Sequence, residues 1–333
     1  MAYIWVQFII ATVIILGSSK YLARSADIIA YKTGLGRTFI GVVLLASATS
    51  LPELGIGVSS ITMVGSPDLA AGDAFGSNLV NLLIIGLMDL YWRNGPILNS
   101  IGTSTTLVGI LGILVIGIAA IAITFHQGTT LFGSWLTSPF SIVLFVTFLV
   151  GLYIIFRAQR TETLSENTEN TEYDQSSLRG AIAIYSLTAV IIVSSAVWLA
   201  FTGVEIADQM HWEQSFVGTQ FLAFSTSLPE LAASFAALRL RAPELAISNV
   251  LGSNLFNMGF VLWIDELAYT SGSLWTAVSG IHVMTAMIAI VMTIVVIVAI
   301  LIRGRQRPSR FWTYEAISLV LLYVFASWIN FNY

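Results

Sequence analysis

The chain has no cysteine in its 333 residues, which excludes disulfides, thiolate metal sites and cysteine nucleophiles. Charge is scarce as well. Asp, Glu, Lys and Arg make up 10% of the residues, against about 25% in a soluble domain, so the polar surface of a soluble globule is missing. There is no H-E-x-x-H motif, and neither Lys20 nor Lys32 stands in a G-x-x-x-x-G-K-[ST] phosphate loop, so no enzyme activity is expected. His126, His211 and His282 are scattered without metal-ligand spacing and read as interfacial or packing residues. Nothing points to a resident cofactor, to nucleic acid or to an obligatory protein partner. The opening Met-Ala-Tyr-Ile-Trp carries no basic stretch and no cleavage site, so a removable signal peptide is not expected.

Apolar residues dominate instead, at 56% of the chain and a mean hydropathy of +0.86. At about 20 apolar residues per bilayer span, the runs between residues 3 and 331 give ten spans with short connections. They fall near 3–30, 37–63, 68–92, 104–124, 139–157, 179–202, 215–239, 243–268, 279–302 and 312–331. The expected class is an all-α polytopic membrane protein. Trp5, Trp92, Trp135, Trp212, Trp275 and Trp328 lie near span ends, where amphipathic rings anchor at the interface.

The basic residues test the span count. Lys20, Arg24, Lys32 and Arg37 lie in or beside the first connection and Arg93 in the third. Arg157, Arg160 and Arg179 flank the fifth, Arg239 and Arg241 the seventh, and Arg303, Arg305, Arg307 and Arg310 the ninth. These are all 14 Lys and Arg residues. The odd connections are therefore expected to be cytoplasmic and both termini outside, in a cell membrane. The polar stretch from Arg157 to Ser177 holds five acids among Thr, Ser and Asn. It reads as a solvated linker, with a regulatory cation-binding loop as the other reading. It divides the chain into a first unit at 1–157, the linker at 158–177 and a second unit at 178–333.

The two units repeat one another. Phe39 to Leu54 reads FIGVVLLASATSLPEL and Phe216 to Leu231 reads FVGTQFLAFSTSLPEL, identical at ten of sixteen positions at an offset of 177. A second block, GSNLVN from Gly76 and GSNLFN from Gly252, recurs at an offset of 176. Each unit has five spans. Because five is odd, the second copy enters the membrane from the opposite side, and inverted repeats of this kind place a substrate near the midplane, where broken helices meet. Pro52 and Pro229 should break spans 2 and 7, since each lacks an N–H and crowds the carbonyl of Ala48 or Ser225. Gly76 and Gly252 are expected to loosen spans 3 and 8.

The candidate ion-holding residues follow from spacing. Thr49 and Ser50 precede Glu53 by one turn, as Thr226 and Ser227 precede Glu230. Ser77 and Asn81 are four apart, as are Ser253 and Asn257. Joined, the halves bring two carboxylates, hydroxyls, amides and freed carbonyls into one all-oxygen cluster, which suits a hard cation, Ca²⁺ or Na⁺. Bare carboxylates in a bilayer are costly, so an unloaded site resists reorientation and a loaded one does not. That asymmetry is the logic of an exchanger.

The paired T-S-L-P-E-L and G-S-N-x-x-N blocks in inverted five-span halves resemble the α-repeats of the cation/Ca²⁺ exchanger superfamily, specifically prokaryotic-type Na⁺/Ca²⁺ exchangers. The resemblance covers essentially the whole chain. It implies that Glu53 and Glu230 are shared Ca²⁺ and Na⁺ ligands. It further implies that Thr49, Thr226, Ser50, Ser227, Ser77 and Ser253 give hydroxyls or carbonyls, and that Ala46 and Ala223 give carbonyls. It also implies that spans 1 and 6 slide across a static bundle of the other eight.

Four positions depart from the family pattern. Ala48 and Ser225 replace the usual Gly before T-S. Asp73 stands where Asn is usual, while Asn249 keeps the expected type; Asp73 either alters charge balance and cation preference or pairs with a polar neighbour. Asn257 replaces an acid found in many relatives, which argues for K⁺ independence. An H⁺-coupled or other divalent-cation antiporter is the alternative function, and a cation channel a more distant one. Of the remaining acids, Asp89 is expected to pair with Arg93. Asp265 and Glu266 are expected to be water-exposed at the end of span 8, an access role being the other reading.

Overall fold

The computed structural model describes residues 2–33, 45–92, 95–129, 137–162, 176–239, 241, 243–302 and 313–333. They form ten transmembrane elements and, among the described residues, no strand. These are α1 (Ala2–Thr33), α2 (46–64), α3 (Pro67–Tyr91), α4 (Thr103–Gly128), α5 (Pro139–Glu162), α6 (Leu178–Met210), α7 (Gln214–Arg239), α8 (Pro243–Ala268), α9 (Ile281–Leu301) and α10 (Tyr314–Asn332). Nine are long and apolar enough to cross a bilayer. The exception, α2, is the described part of the second span, whose start at 34–44 lies outside the described residues. Helices are the necessary solution here, because a backbone in lipid must satisfy its own hydrogen bonds.

The ends of the helices are marked by capping groups. The Ser66, Ser177 and Thr313 hydroxyls accept the N–H groups of Leu69, Gly180 and Ala316 at the starts of α3, α6 and α10, at 3.3, 3.3 and 3.1 Å. The long α6 stops at His211, in the left-handed conformation with φ 58°.

Two helices form the centre. The apolar windows of α3 and α8 are 78% and 83% buried, against 22% for α1 and α10 and 28% for α5 and α6. The outer face of α5 presents Ile142, Val146, Leu149 and Tyr153 to the surroundings, the pattern of a helix against lipid. One large core joins α2 to α5 and α7 to α10. Among the described residues, neither α1 nor α6 contributes to it. Those two run along each other and share separate, smaller cores with α2, α3 and α7.

The prolines break their helices as expected. After Ala46–Thr49 the backbone leaves the helical region at Ser50 (φ −88°, ψ 10°) and resumes with Leu51–Ser59. After Ala223–Thr226 it does the same at Ser227 (φ −82°, ψ 1°) before Leu228–Arg239. The glycines behave differently from expectation. Helix α3 runs unbroken through Gly76 and α8 is helical through Gly252. Gly76 serves close packing: a Cβ there would lie 2.5 Å from the Thr219 carbonyl oxygen of α7. Gly72, one turn earlier, meets Gly218 of α7 in the same way. Helix α8 loosens later, in a π-helical turn at Asn257–Val261.

The acids near the span ends also differ from expectation. Arg93 lies outside the described residues. Asp89 is buried and accepts the Ile97 N–H at 2.7 Å and the Thr313 hydroxyl. Asp265 and Glu266 are fully buried rather than water-exposed. Glu266 accepts the N–H groups of Ser138 and Leu274 at 2.7 and 2.8 Å and the Ser273 hydroxyl at 3.1 Å. These bonds tie the end of α8 to the start of α5.

Candidate cation site

Breaking α2 and α7 at Ser50 and Ser227 places Glu53 and Glu230 in the first turn of each resumed helix, facing the central α3 and α8. All thirteen candidate residues (Ala46, Thr49, Ser50, Glu53, Asp73, Ser77, Asn81, Ala223, Thr226, Ser227, Glu230, Ser253 and Asn257) are buried, none more than 1% exposed.

The hydrogen bonds expose the repeat symmetry atom by atom. Thr49 Oγ1 lies 3.4 Å from Ser253 Oγ, and Ser77 Oγ lies 3.3 Å from Thr226 Oγ1. Exchanging the halves turns one contact into the other. The hydroxyls of Ser77 and Thr226 stand beside Glu53, and those of Thr49 and Ser253 stand beside Glu230. The Ala46 and Ala223 carbonyls each accept an N–H, from Ser50 and Ser227 respectively, both at 3.0 Å. They also lie 3.2 Å from the hydroxyls of Thr49 and Thr226. A carbonyl has two lone pairs, so each of these oxygens has one open to a cation when the threonine hydroxyl hydrogen turns to another acceptor.

Donors for the carboxylates are few. Ser50 Oγ donates to Glu230 Oε1 at 3.4 Å, a long bond across the two halves. Both oxygens of Glu53 and Oε2 of Glu230 have no hydrogen-bond partner among the described residues, and neither has the Ser227 hydroxyl. Buried carboxylates without donors or a counter-charge are strongly disfavoured in the ionised form, so this pair needs either a cation or protons. Among the described residues no three His, Asp or Glu side chains converge as in a compact metal centre. The site instead mixes carboxylates with hydroxyls, amides and carbonyls, a donor set for hard ions.

Asp73 breaks the symmetry. Its Oδ1 lies 3.0 Å from Thr226 Oγ1, while Oδ2 has no partner. Thr226 has one hydroxyl hydrogen, and the Leu222 and Ala223 carbonyls at 3.1 and 3.2 Å compete for it. The Asn249 counterpart donates instead to the Ser234 hydroxyl at 3.2 Å. The amides fasten the centre: Asn81 Nδ2 donates to Asn254 Oδ1 at 2.9 Å, and Asn254 Nδ2 to the Asn78 carbonyl at 3.3 Å. Asn257, the first residue of the π turn, has neither amide atom partnered among the described residues. Sequence reasoning passed over Asn78 and Asn254, although their presence in both G-S-N blocks was the signal for them. It also assigned Asp265 to water.

Ten membrane-spanning elements in two inverted halves, with broken helices meeting at buried carboxylates, define the architecture of a secondary transporter. The chain belongs to the sodium/calcium exchanger protein family, whose signature covers residues 3–157 and 180–332. Among curated relatives, it is 26% identical over 275 residues to the inner membrane protein YrbG of Escherichia coli K12, covering 79% of this chain and 82% of that protein. It is 28% identical over 276 residues to the putative antiporter CaxA of Alkalimonas amylolytica, covering 78% of this chain and 79% of the relative. A solved structure of the sodium-calcium exchanger NCX_Mj shares the fold, with a TM-score of 0.64 at 21% identity and 98% of both chains covered.

Proposed function

We propose that the protein is an antiporter that exchanges Na⁺ for Ca²⁺ by alternating access, with Glu53 and Glu230 as the shared ligands. The observation that carries this reading is the symmetric pair of buried glutamates, three of whose four oxygens lack a partner among the described residues. One Ca²⁺ takes 6–8 oxygens, and the two carboxylates together with hydroxyls of Thr49, Thr226, Ser77 and Ser253 and carbonyls of Ala46 and Ala223 offer a set of that size. Na⁺ ions would use the same carboxylates with the hydroxyls of Ser50 and Ser227. Asn81 and Asn257 complete the polar lining. Loading removes the repulsion and desolvation that hold the unloaded site in place, so reorientation is coupled to occupancy. The membership in the exchanger family and the likeness to a putative antiporter support the same class.

The units at 1–157 and 178–333 act as the two inverted halves, joined by a cytoplasmic linker at 158–177. Both termini face outward from the cell membrane, an orientation supported by the distribution of the 14 basic residues. Ca²⁺ and Na⁺ are the transported substrates, with no resident cofactor. A proton as counter-ion is the second reading, and Asp73 favours it as an additional acid beside the pair.

The test is ⁴⁵Ca²⁺ uptake into proteoliposomes loaded with Na⁺. Uptake should follow the Na⁺ gradient and disappear in Glu53→Gln and Glu230→Gln, each still eluting as a folded, monodisperse protein. Uptake that follows a pH gradient and ignores Na⁺ would transfer the assignment to proton coupling.

A further inference from the structure

Two buried acids, Asp73 and Asp265, are left without an acidic mate when the two halves are matched. Asp89 accepts the N–H eight residues on, at Ile97, and a bond from Thr313, which precedes α10. Glu266 accepts the N–H eight residues on, at Leu274, and a bond from Ser138, which precedes α5. The two acids are repeat mates doing one structural job. Their offset is 177, whereas Asn81 and Asn257 are offset by 176. The extra residue is taken up in the π turn at Asn257–Val261, since a π turn holds one residue more than an α turn. Asp265 therefore matches Met88, an apolar residue, and has no acidic counterpart.

Asp265 is fully buried, and both of its oxygens lack a hydrogen-bond partner among the described residues. Its carboxylate occupies the place where a side chain on Gly57 would be. Gly57 follows Glu53 by four residues, so the carboxylate of Asp265 sits over the same face of α2, one turn further along. Ser60, three residues beyond Gly57, has a buried hydroxyl that is likewise unpartnered. In the other half, the repeat mates of Gly57 and Asp73 are Ser234 and Asn249, which hydrogen-bond to each other. Here that closed polar contact is replaced by two carboxylates, near enough to interact electrostatically. Asp73 Oδ2 has no partner, and no described Lys or Arg pairs with either acid. Two buried carboxylates with free oxygens stay ionised only with a positive ion between or beside them, and otherwise take up protons.

Resting on the glutamate site proposed above, we propose that Asp265 and Asp73 hold a further hard cation, Ca²⁺ or Na⁺, on the flank of that site nearest the connections at residues 64–67 and 269–280. Since basic residues place those connections outside, this is the position a cation occupies between the outer solution and the glutamates.

The experiment uses the full chain in proteoliposomes, with ⁴⁵Ca²⁺ and ²²Na⁺ as separate probes. Asp265→Asn should raise the half-saturating concentration of the occupying cation by about tenfold, while the maximal rate stays within about twofold. Asp265→Glu should recover most of that loss. Asp73→Asn, which keeps an acceptor for Thr226, should act in the same direction and covers the case in which Asp265→Asn does not fold. A shift in one isotope arm alone identifies the cation. If both neutral variants leave both half-saturations unchanged while Glu53→Gln abolishes exchange, the outer position is disproved and the glutamate site stands. If Glu53→Gln exchanges normally, the glutamate site itself is wrong and the outer position falls with it.

Discussion

At the scale of the residue, the two threonines of the T-S-L-P-E-L blocks are mates in sequence but not in load. Thr226 Oγ1 lies 3.0 Å from an Asp73 carboxylate oxygen, whereas Thr49 Oγ1 has no such acid on its flank and lies 3.2 and 3.4 Å from the Ala46 carbonyl and Ser253 Oγ, beside Glu230. Thr226→Val removes the only described donor to a buried carboxylate and should cost about 1–3 kcal/mol of stability. Thr49→Val removes a bond between neutral groups and should cost about 0.5–1.5 kcal/mol. Paired melting curves on purified protein check this, with the larger loss at Thr226; equal losses would mean that Asp73 draws no support from Thr226. The Glu, Thr, Ser and Asn candidates were legible because repetition picked them out of a hydrophobic background, whereas Ala46, Ala223 and Asp73 came only from the family resemblance. Asp265 was misread for a physical reason. An acid three residues from the end of an apolar run ordinarily meets water, and no hydropathy pattern reveals that a π turn eight residues earlier has rotated it inward.

At the scale of the element, α3 and α7 approach so closely that glycine is required between them. A Cβ on Gly72 would lie 2.8 Å from the Ser215 carbonyl oxygen, and one on Gly76 would lie 2.5 Å from that of Thr219. Gly72→Ala and Gly76→Ala should each destabilise the protein by about 1–3 kcal/mol and reduce the folded yield in size-exclusion profiles. Gly112→Ala and Gly117→Ala on α4 meet nothing within 4 Å and should leave the profile unchanged. The helix breaks were readable because proline has one backbone consequence wherever it stands. The glycines were not, because glycine serves both loosening and close packing, and only the neighbouring helix decides between them. The acid staples give another test at this scale. Asp89→Ala strands the Ile97 N–H and the Thr313 hydroxyl, and should lower thermal stability by about 1–3 kcal/mol. The half-saturating Ca²⁺ concentration of the surviving protein should not move; a change in it would give Asp89 a part in ion binding.

At the scale of the molecule, the packing divides ten elements into eight that share one core and two that do not. Alternating access needs a moving part whose displacement does not tear open the main core, and α1 with α6 is the pair that meets that condition. The absence of cysteine, which closed off several functions at the outset, makes this division testable with a clean background. Thr12 on α1 donates to Ser225 on α7, with the two hydroxyl oxygens 3.1 Å apart. Ser225 is one of the departures from the family pattern, and here it faces the helix expected to slide. A Thr12→Cys/Ser225→Cys pair places two thiols within reach of a disulfide that would fasten α1 to the static bundle. With dithiothreitol present the double variant should exchange Ca²⁺, and oxidation should stop exchange until reductant is added back. Each single variant should be indifferent to oxidant. If the oxidised pair, shown by mass spectrometry to be cross-linked, exchanges at the reduced rate, α1 does not slide past α7, and the motion that carries the site across the membrane must be sought within the eight-helix core.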